Sequence, residues 1–567
     1  MQKFLPVISW LPQYRKAWLK DDLIAGVTVG VMLIPQGMAY ALIAGLPPEY
    51  GLYAAVVPLI IYAILGTSRH LAVGPVALIA LLVASAVSPL ANSPEEYITL
   101  SVLLALMIGV IQFVFGLLRM GFLVNLLSHP VLSGFVSAAA IVIGLSQLHH
   151  LLGVESVSGG LHEIAYGIGT QFTNIHIWTL LIGLAAIALI FIIKKTAPKI
   201  PGSLIAVVAG VALIFITGLN QAGVSIVGEI PEGLPAFSVP VIEWSSVTAL
   251  IPMALAISLV AYMESIAVAK AIQQKDGNYQ VDANQELIAL GAANIGGSFF
   301  QSFPVTGGFS RTAVNFDSGA RTGLASVISA MVVAITLLFL TPFFYYLPHA
   351  VLAAIIMAAV YGLIDVKEFR KLWQLGHYDR YMYLATFGGT LFIGIEEGIL
   401  LGVVLSVLML VYRSARPHHT VLGRLPGTSI YRSINRYETD KDDGMLVFRF
   451  DAPLHFANAE YFRDQVYELI DNQPQINLLI LDFNGVDDID STGIDELLEV
   501  IEHLNNKGID VKMAQVKGPV RDLISKGSST GEEIKFYMTI EDAAESAEKS
   551  GSARTDIASS DTIKKGN

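Results

Sequence analysis

The 567-residue sequence contains no cysteine, and only 14% of its residues are charged. Without cysteine, disulfide bonds, thiolate catalysis and cysteine metal sites are excluded. The scarcity of charge, with 54% hydrophobic residues and a mean hydropathy of +0.60, excludes an ordinary soluble protein. Apolar runs such as 102–118, 178–193 and 398–412 approach the roughly 20 residues that cross a bilayer as a helix. The sequence therefore predicts a polytopic membrane protein.

Several functional signals are also missing. The first 22 residues lack a basic region followed by an apolar core and a cleavage site, so no removable signal peptide is expected. There is no HExxH motif and no nucleotide-binding loop, and the histidine pairs at 149–150 and 418–419 lack other ligands at metal-binding spacing. We therefore expect neither an enzyme nor a cofactor or metal centre.

Negative charge is concentrated in the last quarter of the chain. Residues 421–567 contain 16 Lys and Arg against 27 Asp and Glu, a net charge of −11, out of −12 for the whole chain. This imbalance predicts a membrane domain over 1–420 and a soluble domain over 421–540. The polar residues from 541 to 567 are expected to be disordered. An acidic domain also argues against nucleic-acid binding.

The 19 basic residues before position 421 predict the topology, because cytoplasmic loops are enriched in Lys and Arg. They fall into clusters: Lys3 to Lys20, Arg69, Arg119, Lys194 to Lys199, Lys270 with Lys275, Arg311 with Arg321, Lys367 to Arg380, and Arg413 with Arg416. The loops between them lack Lys and Arg, and several carry Glu. The simplest arrangement has about fourteen spans with both termini cytoplasmic, in which only Arg311 is out of place.

Two segments, 46–84 and 285–319, share an order of features that indicates an internal repeat. Each has a Gly- and Ala-rich span, a short extended piece and a glycine-interrupted start of another helix. With seven spans per half, the second copy must be inverted, as in transporters whose interrupted helices mark the binding site. "HLAVGPVAL" and "PVTGGFSRTAV" are thus predicted to be extended strands that become half-helices at mid-membrane.

Arg311 lies at the start of the second predicted half-helix. Each half-helix N-terminus offers free N–H groups and roughly half a positive charge. Two such termini and Arg311 give about +2, which suits a doubly charged oxyanion, and the guanidinium fork matches oxyanion geometry. The alternatives for Arg311 are pairing with a buried carboxylate and snorkelling to the interface.

Three further polar residues lie in apolar segments. Glu264 is interpreted as a proton site, because a low-dielectric cavity favours a protonated carboxyl. The alternatives are a structural partner for Arg311 and a helix-packing residue that faces Ser or Thr. Gln36 and Tyr40, four residues apart on one helix face, are expected to point into the same cavity. Their alternative is ordinary interhelical hydrogen bonding.

Residues 26–78, "MESIAVAKA", "GGFSRTAVN" and "HTVLGRLPGTSIYR" resemble the SulP (sulfate permease) family, particularly its sulfate/proton symporter branch. The resemblance implies fourteen spans in a seven-plus-seven inverted repeat, a core that moves against a gate, a cytoplasmic STAS domain and a homodimer. It also implies the substrate ligands, which by motif are Gln36, Tyr40, the backbone near Val73 and Gly74, Phe309, Ser310 and Arg311. By the same resemblance, Glu264 lies where the proton-linked members of the family have the acidic residue that couples proton movement to transport.

The leading hypothesis is a proton-driven sulfate symporter in the plasma or inner membrane. Because the family also includes bicarbonate, chloride and dicarboxylate carriers, an exchanger or sodium-linked carrier of another anion is the alternative. A non-transporting sensor that signals through the STAS domain is a third hypothesis, although a sensor needs no pair of half-helices at the midplane.

The soluble segment reads independently as α/β. Apolar or alternating stretches predict strands in 444–453, 476–486 and 510–516, and helical spacing predicts helices between them. Ser491 and Thr492 in "DSTG" resemble the STAS loop that is phosphorylated in regulatory relatives, which implies a regulatory partner. The alternative is a plain helix N-cap.

Overall fold

The computed structural model describes residues 5–122, 128–155, 161–197, 201–440, 444–527 and 534–547. Contacts divide the chain into two compact units, Met1–Ser406 and Val407–Asn567. The division falls within one long helix, Ile395–Ala415.

The first unit is helical. Its first helices are α1 (Val7–Trp10), α2 (Lys16–Ile43), α3 (Pro48–Tyr53), α4 (Val57–Leu65), α5 (Ala77–Val87), α6 (Pro94–Leu117), α7 (His129–Ser146), α8 (Leu148–Leu152), α9 (Leu161–Thr170), α10 (Ile177–Thr196) and α11 (Gly202–Thr217). The later ones are α12 (Trp244–Asp276), α13 (Ala283–Ser298), α14 (Phe309–Asp317), α15 (Leu324–Phe339), α16 (His349–Tyr361), α17 (Val366–Leu375), α18 (His377–Phe392) and α19 (Ile395–Ala415), the last continuing into the second unit.

Within the described residues, eight helical segments are long and apolar enough to cross a bilayer, and α5, α11 and α15 are shorter apolar helices. In chain order the helices form two sets of seven: α2, α3 with α4, α5, α6, α7, α10 and α11, then α12, α13, α14, α15, α16, α18 and α19. The first four helices of the two sets pack together as one group. Helices from the last three of each set also pack against one another. The predicted polytopic helical domain is confirmed.

Close helix packing in this unit depends on small residues. A Cβ added to Gly291 of α13 would lie 2.5 Å from the backbone nitrogen of Phe113 on α6, and one added to Gly109 would lie 2.6 Å from that of Ile295. Backbones this close leave no room for a side chain, as is typical where membrane helices are held by van der Waals packing.

The two predicted extended segments meet in the middle of the helical unit. Strand β1 (Val73–Gly74) pairs antiparallel with β2 (Thr306–Gly307), and all four residues are buried. β1 leads into α5 and β2 into α14, so the predicted half-helices are confirmed as short helices that start at a common point.

The second unit contains a six-stranded sheet in the order β4-β3-β5-β6-β7-β8. Its strands are β3 (His419–Arg424), β4 (Tyr431–Ser433), β5 (Met445–Phe450), β6 (Leu478–Asp482), β7 (Asp510–Ala514) and β8 (Phe536–Tyr537). Helices α20 (Ala459–Asp471), α21 (Ser491–Asn506) and α22 (Gly518–Gly527) connect the parallel strands β5 to β8. The predicted α/β fold is confirmed, whereas the antiparallel β3–β4 hairpin was not anticipated.

Residues 541–547 begin the polar segment that was expected to be disordered, and they pack on this sheet. Ala543 is fully buried, and Glu541 forms an ion pair of 2.8 Å with Arg424. Residues 548–567, the rest of that segment, lie outside the described residues.

Candidate functional site

The β1–β2 pair brings two helix N-termini together. At each of them the residue before the helix, Val76 for α5 and Gly308 for α14, provides no side-chain cap. The first N–H groups of a helix have no partner within the helix, so uncapped termini attract anions. This pairing is the geometry that an anion site at two half-helices requires.

Helix α12 lies beside the β1–β2 pair and is hydrogen-bonded to β2. The Ser265 hydroxyl accepts a hydrogen bond from the Gly307 N–H at 2.8 Å and lies 2.7 Å from the hydroxyl of Thr306. Thr306 in turn donates to the Ala261 carbonyl at 2.6 Å. These three bonds attach β2 to α12 and place Glu264, the neighbour of Ser265, near the site.

Arg311 lies in the first turn of α14 and is almost wholly buried, with 2% of its surface exposed. Its Nη1 donates to Oε1 of Gln36 at 3.4 Å. Its Nε and Nη2 have no hydrogen-bond partner in the part of the chain that the structure describes. Burying a guanidinium whose N–H donors lack acceptors costs free energy unless a ligand accepts hydrogen bonds from them. Arg311 is therefore a candidate anion ligand.

The other predicted ligands of the first span face the same place. Gln36 and Tyr40 lie one turn apart on α2, which continues helically through Pro35, and both are buried. Gln36 bonds Arg311, and α14, which carries Arg311, packs against both α2 and α12. The structure thus brings α2, α12 and α14 together at one point.

Glu264 is not an ion-pair partner of Arg311 in this conformation. Among the described residues no ion pair within 4.0 Å joins them, and Oε2 of Glu264 is buried without a hydrogen-bond partner. The carboxyl is therefore available for a proton or a cation.

The remaining predicted ligands differ in exposure. Val73 is buried in the β1–β2 pair, where it faces Gly307. Phe309 has 62% of its surface exposed and Ser310 is also exposed, although both lie beside the buried Arg311. The first turn of α14 therefore lies at the boundary between the packed interior and open space, where a ligand can arrive.

Two glycines leave room for the guanidinium. Gly74 has φ +154°, which disfavours other residues, and a Cβ built on it would lie 3.5 Å from Nη2 of Arg311. A Cβ on Gly308 would lie only 2.7 Å from that nitrogen. These glycines let the backbone approach the guanidinium closely.

We expect Gly308→Ala to weaken anion binding by about tenfold or more, because the added methyl displaces the guanidinium, and small displacements at a site are costly. The atom that must move is the flexible end of a side chain, so the melting temperature should change little. Equilibrium binding of radiolabelled sulfate, with a thermal melt in parallel, measures both effects. Gly388→Ala is the matched control, since a Cβ there meets nothing within 4 Å; equal affinities for the two variants would contradict the prediction.

Sequence reasoning missed two buried carboxylates that hold the loop after α14 and the loop before β1. Oδ1 of Asp22 accepts from the N–H of Arg321 and Thr322, and Oε1 of Glu286 accepts from the N–H of Thr67. Hydroxyl groups complete each set of donors: Tyr14 and Thr322 on Asp22, Tyr62 and Thr67 on Glu286. The presence of acids within apolar segments was the available signal.

Ser491 and Thr492 are exposed at the start of α21. The capping residue is Asp490, whose carboxylate accepts from the N–H of Gly493 at 2.8 Å and of Phe456 at 2.9 Å. Burial alone would raise the pKa of Asp490, but these backbone N–H groups hold it below its ordinary value. The N-cap role thus belongs to Asp490, which leaves both hydroxyl residues accessible.

Comparisons with known proteins agree on one family. The model of the sulfate permease family matches residues 19–386, and that of the STAS domain matches residues 436–543. A chloroplastic sulfate transporter of Arabidopsis thaliana is 40% identical over 95% of this chain and 82% of its own.

Two solved structures are similar. The murine anion transporter Solute Carrier 26 family member A9, in its inward-facing state, has a TM-score of 0.88 and 28% identity over 96% of this chain and 94% of that chain. The transmembrane domain of a cyanobacterial bicarbonate transporter has a TM-score of 0.60 and 25% identity over 70% of this chain and 98% of that chain.

Proposed function

The chain belongs to the sulfate permease family, and from this premise we propose that it imports sulfate by proton-driven secondary active transport. Proteins of this family are transporters, so the chain is not an enzyme. We propose Gln36, Tyr40, the backbone at Val73 and Gly74, Phe309, Ser310 and Arg311 as the substrate site, with Glu264 as the proton site.

The observation that carries the proposal is the state of Arg311. Among the residues that the structure describes, two of its nitrogens are buried without hydrogen-bond partners, beside two uncapped helix N-termini. By the helix-dipole estimate this site has a charge of about +2 when empty. A divalent tetrahedral oxyanion fits both the charge and the planar array of donors.

The grouping of the helices supports alternating access as the transport mechanism. The site lies in the bundle made by the first four helices of both repeats, and the last helices of both repeats pack among themselves. We propose that the first bundle carries the anion as it moves against the second, so that the site opens to one side at a time.

Another anion is the alternative, and one specific observation favours it. A structural neighbour with the same membrane fold is a bicarbonate transporter, and the other, Solute Carrier 26 family member A9, is an anion transporter. A planar monovalent anion also matches a guanidinium fork.

Purified protein in liposomes tests the proposal. Radiolabelled sulfate uptake should require an inward proton gradient, persist without sodium and decrease when unlabelled sulfate competes. If bicarbonate, chloride or a dicarboxylate competes better than sulfate, or if a sodium gradient alone drives uptake, the alternative is the better account.

The multi-pass membrane location is established by the fold and the family, and its details are part of the proposal. We propose a plasma or inner membrane with both termini in the cytoplasm. We also propose a homodimer, and phosphorylation at Ser491 or Thr492 or a regulatory partner at the STAS domain. Because a chloroplastic protein is among the relatives, the membrane should be checked by fractionation.

The topology can be tested by single-cysteine labelling, for which the native sequence provides a cysteine-free background. Cysteine at position 48 or 95 should react with a membrane-impermeant maleimide added to intact cells, since these loops lack Lys and Arg. Thr196→Cys, beside Lys194 and Lys195, should react only after the membrane is permeabilised. Reaction at position 196 from outside intact cells would contradict the proposed orientation.

A further inference from the structure

Helix α14 carries Arg311 but has little to hold it in place by itself. It has nine residues and no side-chain cap, and isolated helices shorter than about 12 residues are marginal. The direction in which Arg311 points must therefore be set by contacts with other parts of the chain.

Helix α14 packs against α2 and α12, and it is also hydrogen-bonded to a short segment of the opposite repeat, residues 70–72, which precedes β1. The N–H of Gly308 donates to the Ala72 carbonyl at 3.0 Å, and the N–H of Ala72 donates to Oγ1 of Thr312 at 3.0 Å. Nδ2 of Asn315 donates to the His70 carbonyl at 2.9 Å. The half-helix is thus hydrogen-bonded along its length to a segment about 240 residues earlier in the chain.

The side chain of His70 extends this attachment beyond the end of the helix. Its Nε2 lies 2.9 Å from the carbonyl oxygen of Ala320, and its Nδ1 lies 3.1 Å from the hydroxyl of Tyr279. Since a carbonyl only accepts, Nε2 carries the proton, and in the neutral ring Nδ1 accepts from Tyr279. His70 is 2% exposed, so both bonds are shielded from water.

The positions on α14 explain why this attachment matters for the ligand. Residues 308, 312 and 315 are spaced by four and three, so they lie on one face of the helix. Arg311 precedes Thr312 by one residue and lies about 100° around the helix axis. Holding the bonded face fixed therefore determines where the guanidinium points.

We propose that Thr312, Asn315 and His70 are positioning residues that set the rotation of α14 and so aim Arg311 at the anion. The inference rests on the proposed function, because it takes Arg311 as the ligand. None of the three needs to touch the anion. Their contribution is to keep the guanidinium in the orientation in which its free nitrogens meet two ligand oxygens.

Thr312→Val is the mildest test, since it keeps the shape and removes the hydroxyl. We expect its sulfate dissociation constant to rise by about tenfold or more, the usual consequence of a misaligned group, with little change in melting temperature. Thr386→Val is the matched control: its buried hydroxyl donates only within its own helix, to the Met382 carbonyl. Equal affinities in these two variants would overturn the inference.

His70 permits a rescue experiment. His70→Leu removes both ring bonds and should weaken sulfate binding, whereas His70→Gln keeps an N–H donor for the Ala320 carbonyl and should restore most of the affinity. His176 provides the control, because its ring also bonds a hydroxyl and a backbone carbonyl, of Thr179 and Ala222. If His176→Leu weakens binding as much as His70→Leu, or if His70→Gln rescues nothing, positioning by His70 is wrong.

A double-mutant cycle separates this inference from the proposed function. If Thr312 acts through the guanidinium, Thr312→Val should cost much less affinity in an Arg311→Lys background than in the native chain. Equal costs in both backgrounds would show that Thr312 acts elsewhere, with Arg311 still the ligand. Native affinity in Arg311→Ala would instead remove the ligand assignment itself, and with it the reason for positioning.

Discussion

Replacing Arg311 with alanine should abolish measurable sulfate binding while the protein still inserts and folds. The substitution removes about half of the estimated charge of +2 and the donors that face the anion. Losing one partner of a buried charge pair costs roughly 2 kcal/mol or more, at least about thirtyfold in affinity. Arg311→Lys retains the charge without the planar fork, so we expect intermediate affinity.

The measurement is equilibrium binding of radiolabelled sulfate to purified protein, with size-exclusion profiles and thermal melts as checks on folding. Arg321→Ala is the matched control, because the Arg321 side chain is 53% exposed and pairs at 3.4 Å with Asp21, which is not one of the proposed ligands. Sulfate affinity within about twofold of the native protein in Arg311→Ala, a difference of only about 0.4 kcal/mol, would refute the assignment of Arg311 as a ligand.

Glu264→Gln should separate binding from accumulation. With Glu264 ionised, the estimated charge of the site falls from about +2 to about +1. A divalent anion should therefore bind better once the carboxyl is protonated, and by linkage sulfate must favour protonation by the same factor. The neutral glutamine mimics the protonated acid, so the variant should bind and exchange sulfate but no longer concentrate it.

The pH dependence has a definite sign. Acidification of the medium should strengthen sulfate binding by the native protein, by at least about fivefold if the coupling has a typical size, and should leave the glutamine variant almost unchanged. Glu243→Gln is the control, as Glu243 is exposed at the start of the same helix and caps no N–H.

Proteoliposomes distinguish the two activities: counterflow reports exchange, and net uptake under an imposed proton gradient reports coupling. If Glu264→Gln still concentrates sulfate when only a proton gradient is supplied, Glu264 is not the coupling residue. A structural role beside Arg311 would then be the better account of this carboxyl.

Much of the architecture follows from local sequence, because hydropathy and loop charge act over short distances. The apolar runs predict spanning helices, and the glycines and prolines around residues 71–76 and 304–308 predict interrupted ones. Arg311 stands out for the same local reason, as a guanidinium at the start of an interrupted helix. The strands and helices of the soluble domain between 444 and 516 likewise follow from alternation and helical spacing.

Local sequence does not reveal which distant groups meet. The bond between His70 and Ala320 joins residues 250 positions apart, that between Asp22 and Thr322 spans 300, and that between Tyr62 and Glu286 spans 224. In the local sequence, Asp22 is only an acid near the end of a span, and His70 is only one residue of a polar loop. Only the packing of one repeat against the other provides the donors that make these buried positions stable.

The same limit applies to the site. The sequence by itself determined the membrane class, the two half-helices and the candidacy of Arg311, because each depends on residues near one another in the chain, and the full set of candidate ligands came from the family resemblance. The tertiary structure alone decided that Gln36 contacts Arg311, that Glu264 forms no ion pair with it, and that residues 70–72 hold α14. The physical reason is that burial and hydrogen bonding depend on neighbours in space, which the inverted arrangement of the two repeats brings together.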